Sequence, residues 1–451
     1  MMKRWFVVGV CALLPCACAA AGSARAAEKM TVTLKGAIDT ALKANIALRE
    51  AASLTESQEI SVAATRNDFL PSVGFSAGTS RSYSKQYSDV TESFEGTYSG
   101  STSFSLSSGL ELFSGFKRTA SLRQAQLRLE AQRSAYARSR EDVVFETAQQ
   151  FLLVVAEQDL IKVYEENLES QRRQLDQIDA YCKSGKRPVV DLYQQQASVA
   201  EAESNLLGAR RDYDLGKLEL LQIMAVAPEV ECDVVAPDME AMIAAVSSFV
   251  DVDPTKEALS SRADLVAQRL QMEAAKKQIT ASRSGYWPSL SLSAGLGTSY
   301  RGSATYDFSD QLDNNMNASV GLSLSFSIFD RMATRNNVAQ ARIGLRQEQL
   351  GAEKLELQVK IEVQQALRDR ETAQKAVEVA QAQSRYSEQA LKSMEERYKV
   401  NASTFVELMQ TRASALQSSY NLIKARYDLL IKGIAVLYYS GTIERAMPLL
   451  D

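Results

Sequence analysis

The sequence predicts a mainly α-helical fold in which long antiparallel helices form an α-barrel and carry a smaller β contribution of four strands. The first observation is the stretch 118–182, which contains neither proline nor glycine. About 65 helical residues at about 1.5 Å each make a rod of roughly 100 Å, far longer than a globular domain needs. A second long helical stretch follows at 338–398. Before each of these stretches, apolar residues alternate with Ser and Gly, which is typical of β-strands.

The N-terminal residues 1–26 are predicted to be a secretory signal peptide. Two basic residues precede an apolar run at 5–21, and an A-x-A cleavage site follows at 24–26. An uncleaved membrane anchor is the alternative, and the short run that ends in small residues disfavours it. Lipidation is a second alternative, although the residues before Cys16 and Cys18 fit an acylation motif poorly.

The composition limits the functions that the chain can have. Its net charge is −4, and removal of residues 1–26 makes it more negative, so nucleic-acid binding through a basic surface is disfavoured. The sequence has no histidine, which removes the commonest general base and the usual zinc ligand. We therefore expect no catalytic site, no metal site and no cofactor. Cys182 and Cys232, the cysteines left after cleavage, lie too far apart along the predicted helices for a disulfide.

The segment 27–227 is interpreted as a first repeat. Its predicted elements are a helix at 33–67, a strand pair at 72–112, the long helix at 118–182 and a helix at 188–224. A flexible Ser-rich linker is the alternative to the strands, but Phe104, Leu106 and Leu110 occupy alternate positions with Ser or Gly between them, which favours strands. We expect a polar loop at about 81–96 between the two strands.

The same pattern returns after a junction at 228–254, so 255–451 is interpreted as a second repeat. Its predicted elements are a helix, a strand pair at 289–329, a long helix at 338–398 and a helix at 404–440. Matching segments are Leu70-Pro71-Ser72 with Trp287-Pro288-Ser289, Tyr83 with Tyr300, and Val190-Asp191-Leu192 with Val406-Glu407-Leu408. The agreement over many positions indicates an internal tandem duplication.

The strands have one apolar face and one Ser/Gly face, which suits a wall between lipid and water. Aromatic residues mark both ends of the strands. Phe69 and Trp287 stand at the end next to the helices, and Tyr83 and Tyr300 stand near the loops. This arrangement predicts two interfacial aromatic belts in a transmembrane β-barrel. A soluble sheet packed on helices is the alternative.

Four strands cannot close a barrel, because the smallest transmembrane barrels have eight. Open sheet edges are not tolerated in lipid, so the strands must be shared between copies of the chain. Two copies give eight strands, a barrel that side chains nearly fill, whereas three copies give twelve strands and leave room for a lumen. The sequence therefore predicts a homotrimer with a twelve-stranded barrel.

Over almost the whole chain after residue 26, the sequence resembles the TolC-type outer-membrane efflux family. The motifs are an amphipathic first helix at 37–48, the segment Arg262-Ala263-Asp264-Leu265 in place of R-P-D-L, and the two pre-strand prolines. Arg397-Tyr398-Lys399-Val400-Asn401 resembles the R-Y-x-V-G turn, with Asn401 in place of Gly. The resemblance implies a trimeric channel in the Gram-negative outer membrane, a helical tunnel in the periplasm, and coupling through a periplasmic adaptor to an inner-membrane transporter. It implies no catalysis.

The resemblance also implies a periplasmic gate just after the helical turns. Asp191 and Glu407 match two acidic positions of the family and Tyr398 matches its tyrosine, while Gln410 and Ser403 replace residues that are often acidic and basic. Three copies of each acid around a narrow opening repel one another unless cations or hydrogen bonds offset the charge. Such a ring favours cations. Helix capping is the alternative interpretation of both acids.

The two turns are predicted adaptor contacts, represented by Gly185 and Lys186 in the first and by Asn401 and Ser403 in the second. Turns that face only solvent are the alternative.

The leading functional hypothesis is a passive exit duct for efflux or type I secretion. The alternative is a periplasmic coiled-coil scaffold or adaptor without a pore, for which lipid-facing strands have no use. A secreted enzyme is disfavoured, because the sequence carries no phosphate loop and no nucleophile motif.

Overall fold

The structure is a computed structural model that describes residues 30–90, 92–249, 253–302, 307–400 and 402–447. The predicted signal peptide at 1–26 lies outside the described residues. The helices are α1 (Leu34–Ala44), α2 (Ile46–Asn67), α3 (Lys117–Lys183), α4 (Val189–Ile223), α5 (Met239–Phe249), α6 (Pro254–Ser261), α7 (Ala263–Ser282), α8 (Phe308–Asn314), α9 (Ala333–Lys399), α10 (Phe405–Tyr439) and α11 (Ile443–Ala446). The strands are β1 (Met30–Val32), β2 (Ser72–Ser88), β3 (Ser93–Ser114), β4 (Cys232–Val234), β5 (Ser289–Arg301) and β6 (Asn317–Ser325). The predicted mainly helical fold with a β contribution is confirmed.

Four long strands form one antiparallel sheet in the order β2-β3-β5-β6. The serines on one face pair across β2 and β3. Their hydroxyls are hydrogen-bonded between Ser76 and Ser105 at 2.7 Å, Ser80 and Ser101 at 2.9 Å, and Ser82 and Ser99 at 2.8 Å. Apolar residues occupy the alternate positions and stand exposed in the single chain. The alternation seen in the sequence thus becomes a sheet with one polar and one apolar face.

The structure corrects the predicted ends of the strands. The polar loop expected at 81–96 is wrong, because β2 continues to Ser88 and β3 begins at Ser93, with Tyr83 paired to Tyr98 across the two strands. The second strand pair ends at Ser325 rather than at residue 329. The last strand, β6, pairs with β5, which begins at Ser289 opposite Ser325. The preceding residue, Pro288, has no N–H to extend the hydrogen-bond ladder.

The helix predicted at 33–67 is divided in two at Asn45. The Asn45 side chain accepts a hydrogen bond from the Leu48 amide at 3.2 Å and so caps α2. Its amide nitrogen donates to the Ile223 carbonyl at 2.8 Å, which ties this break to the end of α4. Helical periodicity does not reveal a side chain that both caps a helix and bonds to a distant carbonyl.

The long helices form one layer in the order α2-α3-α7-α9. Two of them return as antiparallel hairpins, α3 with α4 and α9 with α10, which extend away from the sheet. In the junction predicted at 228–254, β4 pairs in parallel with β1. The main core lies beside this pair, where Phe151 and Leu152 of α3 pack with Ile434 of α10 and Ile38 of α1.

No helix in the described ranges is both long enough and apolar enough to span a membrane. Cys182 and Cys232 are free thiols.

Candidate functional site

The two hairpin ends meet at a contact between Arg187 and Tyr398. The Arg187 guanidinium carbon lies 4.3 Å from the centroid of the Tyr398 ring, and Nη2 donates to the Tyr398 carbonyl oxygen at 3.4 Å. The same guanidinium lies 3.9 Å from a carboxylate oxygen of Asp191. The α3–α4 turn is therefore attached to the last turn of α9, and the predicted gate residues Asp191 and Tyr398 share one cationic partner.

The α3–α4 turn has a sequence that allows this placement. Gly185 adopts a φ of +72°, a left-handed conformation that favours glycine. The amide of Lys186 donates to the Tyr181 carbonyl at 2.9 Å, which closes the end of α3. Pro188 then starts α4 and places Asp191 in its first turn, four residues after Arg187.

The Tyr398 ring is packed in a small apolar cluster at the hairpin ends. It is 6% exposed and contacts Ile178, Phe405 and Leu408, with the Phe405 ring centroid at 6.1 Å. Its hydroxyl is buried and has no hydrogen-bond partner among the described residues. Burial raises the pKa of the Tyr398 phenol above its usual value, so the ring stays neutral at physiological pH.

Arg187 is the site residue that sequence reasoning missed. Its side chain is 17% exposed and that of Asp191 is 15% exposed, so the ion pair is largely shielded from solvent. The spacing of four residues between Arg187 and Asp191 is the only signal that the sequence offers. The stacking on Tyr398 joins residues more than 200 positions apart, so no local pattern reveals it.

Glu407 has a different environment, because it caps α10. Its carboxylate accepts the Thr404 amide at 2.8 Å, and its own amide donates to the Thr404 hydroxyl at 3.2 Å, which completes a capping box. These hydrogen bonds lower the pKa of the Glu407 carboxyl. Within the described part of the chain, neither Glu407 nor the exposed Gln410 forms a hydrogen bond or ion pair with Asp191.

Two of the four residues predicted to contact an adaptor lie on the outer surface of the α3–α4 turn. Gly185 and Lys186 are exposed. Ser403 is half-buried, and its hydroxyl oxygen has no partner in the described ranges. Asn401 lies outside the described residues.

The predicted aromatic belts form two groups at opposite ends of the sheet. Near the helices, the Arg118 guanidinium lies 4.9 Å from the Phe69 ring and the Trp287 ring lies 6.2 Å from that of Phe116. At the end of the sheet far from the long helices, the Tyr83 and Tyr98 ring centroids are 4.8 Å apart, and the Tyr300 ring lies 5.1 Å from that of Phe308. The described residues contain no group of three or more Cys, Asp or Glu placed to hold a metal ion.

Comparison with known proteins gives a consistent result. The sequence profile of the family described as outer membrane efflux protein matches residues 37–226 and 255–442. The chain is 24% identical over 412 residues to the outer membrane protein TolC of Salmonella enteritidis, with 89% of this chain and 80% of that protein covered. It is 22% identical over 420 residues to the outer membrane efflux protein BepC of Brucella suis, with 91% and 86% covered.

Solved structures share the fold. The outer membrane channel CmeC of Campylobacter jejuni superposes with a TM-score of 0.78 at 18% identity, covering 93% of this chain and 90% of that one. The outer membrane channel MtrE of Neisseria gonorrhoeae, in its open state, superposes with a TM-score of 0.73 at 20% identity, covering 91% and 89%.

Proposed function

Since the chain belongs to the outer membrane efflux protein family, we infer that it is the outer-membrane exit duct of an efflux system. Its sheet lies in the Gram-negative outer membrane and its helical part lies in the periplasm. The main observation behind this inference is that the sheet and the helical layer each form an open strip. The strand order is β2-β3-β5-β6 and the helix order is α2-α3-α7-α9, so the two repeats lie side by side in both layers. Each layer is a strip with two open edges, which is one segment of a closed wall.

We propose that copies of the chain close this wall edge to edge. The open edges are β2 and α2 on one side and β6 and α9 on the other, so a neighbouring copy continues both layers in the same direction. Contacts between different edges of identical chains generate a ring when the rotation closes. Strand alternation is preserved, because an even number of antiparallel strands lets β6 of one copy pair with β2 of the next.

Exposed apolar residues on both helical edges support this closure. On α9, Ile343, Leu350 and Leu357 recur every seven residues and are exposed in the single chain. On α2, Ile46, Leu54 and Ile60 are likewise exposed, and these edge residues belong to neither of the two packed apolar clusters nearby. A seven-residue spacing produces a straight seam along a supercoiled helix, which suits packing against a neighbouring helix. We propose a trimer, because twelve strands leave a lumen that eight do not.

The contact between Arg187, Asp191 and Tyr398 is proposed as the closing device of the periplasmic end. Three copies place three such contacts around the tunnel axis. Each Asp191 carries its own Arg187, so the repulsion between three carboxylates is reduced within each chain. Glu407 is proposed to add negative charge to the ring while it caps α10, and Gln410 to contribute a neutral polar group.

The partners proposed for the duct are a periplasmic adaptor and an inner-membrane transporter. The exposed turn residues Gly185 and Lys186 and the half-buried Ser403 are the proposed adaptor contacts, because they lie at the free ends of the hairpins. The transporter supplies the energy, since a passive duct supplies none. We propose that the same duct can also act as the exit of a type I secretion system.

Single-channel recording of the purified protein in a planar bilayer tests the duct. The wild-type protein is expected to show a small conductance that prefers cations, and Asp191→Ala together with Glu407→Ala is expected to raise the conductance. A conductance that does not respond to these changes would retain the duct and remove the gate. Folded, inserted protein with no conductance would instead favour a scaffold without a pore.

A further inference from the structure

A basic cavity lies between the two hairpin ends, beside the Arg187–Tyr398 contact. Its volume is about 590 Å³, and it is bounded by the last turns of α3 and α9 and the start of α10. Its charged lining residues are five basic and one acidic: Arg173, Lys186, Arg187, Lys399, Arg412 and Glu395. The volume is in the range of small-ligand sites in proteins. The excess of basic groups in a chain of net negative charge favours an anionic occupant.

Arg412 lines this cavity and carries two side-chain donors that have no acceptor among the described residues. Its side chain is 7% exposed, and Nη2 donates to a Glu395 carboxylate oxygen at 2.7 Å. Its Nε and Nη1 atoms are fully buried and have no hydrogen-bond partner within the described part of the chain. Buried polar groups in folded proteins are nearly always hydrogen-bonded, so these two donors indicate a missing acceptor.

Lys186, Arg173 and Lys399 have no buried contacts within the described ranges that prevent them from turning toward such an acceptor. Lys186 is exposed and forms no ion pair with any described residue. Arg173 and Lys399 pair with Glu169 and Glu396 on the surface, and exposed pairs of this kind contribute little. Neutral polar groups of α3, among them Gln174 and Gln177, complete the wall with hydrogen-bonding side chains.

We propose that this cavity binds a small oxyanion of the phosphate, sulfate or carboxylate class, and that the bound anion fastens the α3–α4 hairpin to α9 and α10. Arg187 lines the cavity and also stacks on Tyr398, so an anion beside Arg187 holds that contact in place. The regulatory part of this inference rests on the proposed duct. A ligand that binds the closed arrangement more tightly than the open one shifts the population toward the closed arrangement.

Isothermal titration of inorganic phosphate into the purified full chain in detergent tests the site directly. Measurements near pH 7, with chloride adjusted to constant ionic strength, separate specific binding from screening. The wild-type protein is expected to bind phosphate, and Arg412→Gln to weaken binding by about tenfold or more, as expected for loss of charged hydrogen bonds. Arg426→Gln is the matched control, because it makes the same change at an exposed position of α10 outside the cavity.

Lys186→Gln keeps the test informative if Arg412→Gln fails to fold, because Lys186 is an exposed turn residue of the same cavity. Its expected effect is a severalfold weaker phosphate affinity with an unchanged melting temperature in the absence of phosphate. Absence of phosphate binding to the wild-type protein would overturn the site. So would equal affinities in Arg412→Gln, Lys186→Gln and Arg426→Gln.

Bilayer recording with phosphate replacing chloride at equal ionic strength then tests the regulation. Phosphate is expected to reduce the open fraction of the wild-type channel, and Lys186→Gln is expected to need a severalfold higher phosphate concentration for the same reduction. A conducting channel that binds phosphate without any change in opening would remove the regulatory role and leave the site. Phosphate binding to a protein that never conducts would instead contradict the duct, so the two failures are distinguishable.

Discussion

At the residue scale, the candidate gate depends on how one arginine divides its contacts. The Arg187 guanidinium stacks on Tyr398 and lies near Asp191 while it also lines the basic cavity. A planar guanidinium can do this because its face interacts with an aromatic ring and its edge donates hydrogen bonds. A lysine at this position has no planar face to stack on the ring and a single nitrogen to donate, so it would not reproduce this set of contacts.

Arg187→Gln is expected to open the channel more often. The substitution removes a cation–π contact worth about 0.5–2 kcal/mol, which corresponds to a shift of roughly 2- to 30-fold in the ratio of open to closed states. Single-channel recording measures this shift. Lys183→Gln is the matched control, because Lys183 is a basic residue at the same hairpin end that pairs with Asp179 instead. Equal recordings from the two variants would remove Arg187 from the gate.

Tyr398→Phe is expected to leave both conductance and stability nearly unchanged. The Tyr398 hydroxyl has no partner among the described residues, whereas the ring contacts Arg187 and the apolar cluster. Loss of an unpaired buried hydroxyl removes no hydrogen bond. Tyr398→Ala, which removes the ring, is the comparison and is expected to open the channel. A large effect of Tyr398→Phe on conductance would mean that the hydroxyl is bonded across the assembled wall.

Glu407 is expected to make the start of α10 sensitive to acid. Its pKa is lowered by hydrogen bonds from Thr404, so its stabilising effect is present above the ordinary carboxyl pKa and is lost as pH falls through the lowered value. Hydrogen exchange should therefore show faster exchange in the first turn of α10 below about pH 4. In Glu407→Gln this pH dependence should disappear, and its persistence would assign the effect to another group.

At the element scale, Arg262 holds three helices together. It immediately precedes α7, donates to Asp264 at 2.6 Å and to Glu362 of α9 at 2.8 Å, and donates to the Tyr439 carbonyl at the end of α10 at 3.3 Å. Its side chain is almost fully buried. Burial opposes the charge on Arg262, but its hydrogen bonds to Asp264 and Glu362 outweigh this effect and raise the Arg262 pKa. This network explains why Arg and Asp flank Ala263 in the motif that the sequence displays.

Arg262→Ala is expected to destabilise the protein by about 3–5 kcal/mol, because it leaves two partly buried carboxylates without their cation. Denaturant unfolding followed by circular dichroism measures the loss. Arg269→Ala provides a control on the same helix, since Arg269 is half-exposed and forms a loose pair with Glu356 at 3.8 Å. The control should cost about 1 kcal/mol or less. Equal losses in both variants would contradict the role of the network.

The sequence predicts the helices and strands better than it predicts their contacts. Serine alternation identifies the strands, because a period of two depends only on neighbouring positions. It misjudges where β2 ends, because Tyr83 and Tyr87 continue the pattern into a stretch that is polar in composition. Arg187 and Arg412 escape sequence reasoning for a different reason. Their surroundings are built from separate helices, and only the fold brings those helices together.

At the scale of the whole molecule, the duplication explains why a single chain leaves both edges of its sheet and of its helical layer open. Each repeat supplies one strand pair and one long hairpin, and the two repeats lie side by side with β3 paired to β5 and α3 packed on α7. The contact between repeats joins one edge of the first to one edge of the second. In the assembly that we propose, a neighbouring copy repeats the same relation, with α9 of one copy packed on α2 of the next.

Leu350→Lys is expected to prevent this assembly. Leu350 is 57% exposed in the single chain and lies at the centre of the α9 seam with Ile343 and Leu357. If α2 of the next copy covers the seam, a lysine at position 350 places an unpaired charge in an apolar interface. Burying that charge costs more free energy than the leucine contact contributes. Native mass spectrometry in detergent should find three copies for the wild-type protein and mainly single chains for the variant. Gln349→Lys adds the same charge one position away, at an exposed residue outside the seam, and should remain trimeric. If Leu350→Lys also remains trimeric, the α9 edge is not the surface through which the copies meet.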